Sequence, residues 1–279
     1  MSKRFTLSLI LLSFWLPIMV STAGAQETRL SKKEIRQEKK KLRLDRKLAR
    51  ERFLQYGFVG TWNVIQDTKM AQNTYQGPGA RLQIGVSSRS EKNLFQYAIR
   101  GGGIIASPSH DESTLWGALS DAGFSYMWRI RKDDPKNLIY LGAYGQFLYA
   151  YRFNSTLRNS ARNWDIVGSV GPSLFWMREV RVFRQQMTLE YQLKVPVLSY
   201  LVRYPGFSIG LEGSDDFVSP VGVFTQIQSQ ISLVKRLGRK TENKLAFFYE
   251  WNLYDFKEED IHALGVAYHG LGVTLFIDL

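Results

Sequence analysis

The sequence predicts an all-β chain that folds as an antiparallel transmembrane β-barrel, and the alternation of apolar and polar residues is the main observation behind this prediction. From Val221 to Leu233 the odd positions are mostly apolar, and three of the even positions between them are glutamines. The same period of two returns from Leu271 to Leu279. A period of two is typical of a strand with one apolar and one polar face. These runs exceed the roughly 5–6 residues usual in soluble sheets, which favours strands that cross a membrane.

Ten alternating segments follow one another between residues 57 and 279. Their expected spans are 57–66, 79–88, 93–105, 114–131, 137–152, 163–177, 182–198, 217–236, 244–255 and 263–279. Short charged connections, at 88–92, 132–136, 178–181 and 237–243, alternate with connections that are mostly longer and rich in Gly, Pro, Ser, Asn and Asp. This rhythm is typical of strands that run up and down a membrane barrel. Ten strands are therefore expected, with eight if residues 57–88 lie outside the wall and twelve if residues 199–216 contain another hairpin.

The last segment contains a change of parity. Leu264 and Tyr268 share one parity, whereas Leu271 and the apolar residues after it share the other. One extra residue near His269 and Gly270 would bring both sets onto one face, so the sequence predicts a β-bulge there. With the bulge, His269 could point inward; without it, His269 faces lipid.

The N-terminal 53 residues do not alternate, and they divide into two parts. Lys3 and Arg4, the apolar run 5–20 and the small residues 23–25 are typical of a secretory signal peptide, which is predicted to span residues 1–25 and to be cleaved. Residues 26–53 are expected to form a basic periplasmic segment, helical or disordered. Residues 54–279 are expected to form the barrel.

Most of the chain's net charge of +12 lies in the basic segment, where Lys and Arg far outnumber Asp and Glu. The basic character of the chain therefore belongs mainly to this N-terminal segment and does not indicate a nucleic-acid-binding domain. Export of the chain also argues against a nucleic-acid partner. Ser31 and Glu34 form a capping box, a signal for a helix start. The segment is either a solvated arm or contains an amphipathic helix over Ser31–Arg52. In the second case residues 27–52 are expected to contact envelope anions or a periplasmic protein.

Residues 57–279 resemble the Gram-negative outer-membrane β-barrel proteins in architecture, on the basis of the export signal, the alternating strands, the two classes of connection and the strand-like end Leu271–Leu279. The resemblance implies an outer-membrane location and contact with outer-membrane lipids. Such chains usually end in an aromatic residue, whereas this chain ends in Leu279, with Phe276 on the opposite face.

The predicted interior of the barrel is narrow and rich in paired charges. Side chains alone can fill the interior of an eight-stranded barrel, and a ten-stranded barrel is only slightly wider. The inward polar candidates are Arg81, Arg100, Asp121, Arg129, Arg152, Asp165, Glu190, Gln192, Lys194, Gln226, Gln228, Glu250 and Asn252. Because the cations and anions nearly balance, one interpretation is a set of ion pairs that plugs the lumen, and the other is a polar pathway for a small solute or ion. The expected role is a porin-like structural, assembly or narrow-transport component of the cell envelope.

A second hypothesis comes from the enzymes that share this architecture, among them lipid A deacylases and phospholipases. Ser109, His110 and Asp111 lie together in an expected external loop, and His262 ends another loop. A Ser-His-Asp cluster suits acyl transfer if the groups meet within hydrogen-bond reach. Neighbours in one loop rarely form such a cluster, so the sequence favours a non-enzymatic role. It contains no cysteine, and no cofactor or resident metal is expected, although acids near His262 could bind a divalent cation weakly.

Overall fold

The structure is a computed structural model, and a subset of the chain is described in it. The described residues are 36, 50–68, 70–108, 113–130, 136–157, 162–204, 215–220, 224–238, 242–257 and 263–279, with backbone alone at 204, 215–220 and 224. The chain divides into the units 1–45 and 46–279, and Arg36, which is helical, is the one described residue of the first unit. The predicted signal peptide and nearly all of the predicted Ser31–Arg52 helix therefore lie outside the described residues. Among the residues that are described, no helix has the length and apolar content needed to span a bilayer.

Unit 46–279 is a closed antiparallel β-barrel with a wall of ten strands, as the sequence predicts. The strand segments are β1 (Glu51–Asp67), β2 (Thr74–Arg89), β3 (Asn93–Pro108), β4 (Leu115–Arg129), β5 (Asn137–Asn154), β6 (Arg162–Val182), β7 (Gln185–Lys194), β8 (Leu198–Tyr204), β9 (Asp215–Pro220), β10 (Phe224–Arg236), β11 (Lys244–Phe256) and β12 (Leu264–Asp278). Consecutive segments pair from β1 to β7, β7 then pairs with β10, and β12 closes the wall against β1. Closure removes the free edges that an open sheet would leave in lipid.

Twelve segments make ten wall strands because two strands are interrupted. β7 and β8 both pair with β6, one after the other, and the break between them lies at residues 195–197. Pro196 has no backbone N–H, yet Val195 and Val197 on either side still donate backbone hydrogen bonds to β6, at 3.3 and 2.9 Å. β9 and β10 likewise follow one another along the eighth strand. Residues 57–88 are part of the wall, so the eight-strand alternative is wrong.

Strand alternation separates an apolar exterior from a buried interior. On β1 the outward side chains of Phe58 and Trp62 are 52 % and 53 % exposed, whereas the inward Val59 and Asn63 are 3 % and 2 % exposed. The same pattern of buried and exposed positions continues around most of the wall. The exterior is therefore lined by large apolar side chains that no part of the described chain covers.

The first strand begins earlier than predicted. β1 begins at Glu51 because the last strand extends it: Phe53 pairs with Asp278, and the amide of Leu279 donates to the carbonyl oxygen of Arg52 at 3.0 Å. Glu51 and Arg52, which were expected to belong to the helical or disordered basic segment, are therefore in a strand.

The turn between β6 and β7 also lies elsewhere than predicted. β6 continues through residues 178–181, and the turn consists of Phe183 and Arg184, with φ angles of 47° and 65°. Positive φ at both residues is typical of the type I′ turn, which is usually formed by Asn-Gly. The sequence Phe-Arg lacks this signal, which is why the turn was misplaced.

The predicted bulge at His269 and Gly270 is wrong. β12 pairs without interruption from Leu264 to Asp278 with β1, and its pairing with β11 is equally continuous. His269 faces outward beside Tyr249, whose hydroxyl is within hydrogen-bond distance of Nδ1. The parity change has another cause: both side chains point inward, Leu264 into the apolar half of the interior and Tyr268 against Arg81.

Candidate functional site

Two groups of four charged side chains lie inside the barrel, and the first lies near mid-height. We call Arg81, Arg100, Asp121 and Glu250 the mid-barrel quartet. Arg100 and Asp121 are direct cross-strand partners, with Nη2 and Oδ1 2.8 Å apart. Arg81 on β2 is paired with Glu250 on β11, and Nη1 of Arg81 lies 3.9 Å from Oδ2 of Asp121. Nη1 of Arg100 lies 3.7 Å from Oε2 of Glu250, so each arginine faces both carboxylates.

Arg81 is held in place by an aromatic ring and by a glycine. Its guanidinium carbon lies 4.2 Å from the centroid of the Tyr268 ring, a cation–π geometry. Asn252 donates to the Tyr268 hydroxyl at 3.0 Å and orients that ring. A Cβ on Gly102 would lie 2.5 Å from Cγ of Arg81 and 2.0 Å from a backbone oxygen, so glycine is needed where this side chain crosses β3.

The second group lies closer to the end of the barrel that carries the longer connections, here called the loop end. We call Asp67, Arg152, Asp165 and Arg203 the loop-side quartet. Arg152 Nε lies 3.0 Å from Asp67 Oδ2, and Arg152 is also paired with Asp165. Arg203 lies 2.8 Å from Asp67 and 2.9 Å from Asp165. All four side chains are 0–3 % exposed, and Asn163 donates a further hydrogen bond to Asp67 at 2.9 Å.

A cluster of buried apolar residues surrounds the loop-side quartet and separates it from the mid-barrel quartet. Its members are Ile65, Met70, Tyr75, Ile104, Ala106, Leu115, Leu119, Leu148, Ala150, Val167, Leu201, Tyr254, Phe256, Leu264 and Val266. By strand register, Leu119 and its partner Ala150 lie between the levels of Asp121 and Arg152, whereas Phe256 and Leu264 lie at the loop end. The lumen in this half of the barrel is therefore filled by side chains.

The other half of the interior contains a polar cavity, the turn-side cavity, of about 120 Å³. Arg100 and Lys194 line it toward the mid-barrel quartet, and several glutamines line its walls. At the end of the barrel with the short connections, the turn end, Glu51 is paired with Arg89 at 2.5 Å and with Lys244 at 3.0 Å. A smaller cavity of about 30 Å³ shares Arg100, Gln192 and Lys194 with it.

The structure places most of the predicted polar residues in these features. Six of them belong to the two quartets, and Glu190, Gln192 and Lys194 line the turn-side cavity. Gln228 donates to Gln146 across the lumen, and Gln226 is 2 % exposed. Arg129, at the turn-end limit of β4, belongs to neither quartet.

Two quartet members were missed because the prediction ended their strands too early. Asp67 was assigned to a connection beginning at residue 67, and Arg203 to one spanning 199–216. Both continue the inward parity of their strands, Asp67 after Asn63 and Ile65, and Arg203 after Leu201. That parity was the available signal.

The predicted catalytic candidates lie elsewhere. Ser109, His110, Asp111 and His262 are outside the described residues, so the hydrolase hypothesis stays a prediction. Within the described part of the chain, no group of three or more His, Asp or Glu side chains is placed to hold a metal ion.

Comparison with known proteins gives similarity of architecture alone. No family model matches the chain, and a search among curated proteins finds no match. The translocator domain of the autotransporter NalP from Neisseria meningitidis is 10 % identical with a TM-score of 0.43, over 88 % of this chain and 94 % of that chain. The outer membrane protease OmpT from Escherichia coli is 8 % identical with a TM-score of 0.47, over 82 % of this chain and 96 % of that chain. The ten-strand assignment rests on the strand pairing described above.

Proposed function

We propose that this protein is an outer-membrane β-barrel with a plugged lumen, which acts as a structural component of the envelope and does not pass solutes in its resting state. The observation that carries the proposal is the filling of the lumen by the loop-side quartet and its apolar cluster, above the mid-barrel quartet. Buried charges persist when they are paired with opposite charges, and every member of both quartets forms at least one ion pair.

The exterior supports the membrane location. Outward aromatic side chains lie near both ends of the wall, with Tyr126 and Trp128 toward the turn end and Trp116 toward the loop end. Aromatic side chains at two levels are typical of a barrel that meets two membrane interfaces. By the usual arrangement of such barrels, the short connections and both chain ends lie in the periplasm.

Conductance across planar bilayers tests the plug. We expect no steady conductance from the wild-type barrel, and none from Arg81→Ser/Glu250→Ser, because the loop-side plug remains. Adding Arg152→Ser and Asp165→Ser removes charge pairs at both levels without changing the net charge, and this variant is expected to leak. A steady open channel in the wild type would overturn the proposal.

The basic segment 27–52 is proposed to contact anionic groups of the envelope or an acidic periplasmic partner. Its density of Lys and Arg supports this, since attraction to an anionic membrane is worth about 1 kcal/mol per basic residue and is weakened by salt. Deletion of residues 27–50 leaves β1 intact and is expected to reduce salt-sensitive co-purification with envelope fractions. Unchanged co-purification at low and high salt would contradict this role.

A further inference from the structure

The Lys194 side chain carries a charge that the described residues do not balance. The mid-barrel quartet next to it has two arginines and two carboxylates and is neutral by itself. The charged neighbours of Lys194 are Arg100, Asp121 and Glu250, all members of that quartet. In the described part of the chain Lys194 forms no ion pair, and its Nζ lies 5.9 Å from the centroid of the Tyr144 ring.

The charges at the turn end do not supply the missing anion. Glu190 lies on the same inward face as Lys194, but four residues along the strand, a distance of roughly 13 Å. Its charged neighbours are Arg89, Lys244 and Glu51, and these four groups are balanced among themselves. One positive charge is therefore left over, at the inner end of the turn-side cavity.

The same place offers room and hydrogen-bond donors. One water needs roughly 10–15 Å³ of accessible space, so the turn-side cavity of about 120 Å³ has room for a small polyatomic ion. Gln192 and Arg100 line the cavity together with Lys194, and Gln192 donates to Gln96 at 2.7 Å. Amides and guanidinium groups donate hydrogen bonds to oxygen anions, and a charged donor strengthens them.

We propose that the turn-side cavity binds a small oxygen anion, a phosphate or a carboxylate, between Lys194, Arg100 and Gln192. The anion supplies the charge that balances Lys194, because a half-buried ammonium in the lumen loses part of its hydration and is costly without a counter-charge. The cavity reaches the turn end, so the anion enters from that side and never passes the loop-side plug. This site goes beyond the structural role proposed above and does not require it.

Isothermal titration of the folded full-length chain in a neutral detergent tests the site, with inorganic phosphate and acetate as separate probes. We expect saturable binding of at least one of them, and preference between the two identifies the anion class. Lys194→Met is expected to weaken binding by at least about tenfold, since it removes a charge-assisted contact. Lys257→Met is the matched control, because Lys257 is 74 % exposed and outside the cavity, and it should bind like the wild type.

A second variant keeps the test decisive if Lys194→Met does not fold. Gln192→Leu keeps the charge and nearly the volume of the side chain but removes its amide donor, and should weaken binding by about fivefold. Heat-modifiable gel migration verifies folding of each variant. Absence of saturable binding to the wild type, or wild-type affinity in a folded Lys194→Met or Gln192→Leu variant, would overturn the proposal.

Discussion

The two quartets have the same chemistry in different surroundings. Each consists of two arginines and two carboxylates, and each joins strands that are far apart in the sequence. The loop-side quartet is 0–3 % exposed and enclosed by apolar side chains. The mid-barrel quartet lies against the turn-side cavity, where Arg100 is 14 % exposed and the extra cation Lys194 is close by.

The difference predicts that the two quartets respond differently to the loss of a partner. In dry surroundings a missing partner leaves an uncompensated charge that no water can reach, so we expect the loss of any member of the loop-side quartet to be strongly destabilising. In the mid-barrel quartet Arg100 lines a polar cavity and can be rehydrated, so we expect that quartet to tolerate the loss of a partner better. Stability measurements on matched variants test this difference.

Loss of Asp67 is expected to have the largest effect. Asp67 is 0 % exposed and is bonded to Arg152, Arg203 and Asn163. Asp67→Ala should lower the free energy of unfolding by about 3–5 kcal/mol, the cost of leaving a buried charge without its partner. Denaturant unfolding in detergent micelles, followed by tryptophan fluorescence, measures it. Asp67→Asn keeps the shape of the side chain but also removes its charge, so it should lose nearly as much; a stability of Asp67→Asn close to that of the wild type would contradict the charge argument.

Loss of Glu250 is expected to cost less than loss of Asp67. In Glu250→Ala, Arg81 and Arg100 still face Asp121, and water from the cavity can reach Arg100. We expect a loss of about 1–3 kcal/mol in the same unfolding assay. The comparison of the two quartets fails if this loss equals or exceeds that of Asp67→Ala.

A change at Gly102 disturbs the mid-barrel quartet without removing a charge. The added methyl group of Gly102→Ala would meet Arg81 and a backbone oxygen, so we expect a loss of about 1–3 kcal/mol from overpacking. Gly101→Ala, one residue away on the outward face, meets nothing within 4 Å and is the matched control. Similar unfolding curves for the two variants would mean that the position of the Arg81 side chain does not require a glycine at residue 102.

The exposed pair Arg236–Glu242 is expected to show the smallest effect. Its side chains are 59 % and 48 % exposed, and the charged atoms are 2.7 Å apart. Because solvent and salt screen such a pair, Glu242→Ala should change the free energy of unfolding by no more than about 1 kcal/mol. A loss as large as that of Glu250→Ala would show that burial does not set the order of these effects.

The sequence by itself determined the number of wall strands, their approximate limits and which face of most strands is inward. These features were predictable because alternation is a local property: each strand carries its own period of two, whatever its neighbours are. The inward placement of Arg81, Asp121 and Glu250 follows from their strands alone. The prediction failed where local signals were missing, as at Phe183 and Arg184, which form a turn without the usual turn residues.

The tertiary structure alone decided which inward side chains meet. Strands in a closed barrel are tilted, and each is offset along the axis from the next, so residues far apart in sequence come to the same height. That offset brings Asp67 within reach of Arg203, 136 residues later, and Arg81 within reach of Glu250. It also brings inward apolar side chains of several strands together in one half of the lumen, where Leu264 is buried on a regular β12 without the expected bulge. The height of a residue along the barrel axis depends on the tilt and offset of all ten strands together, so no single segment of the sequence determines it.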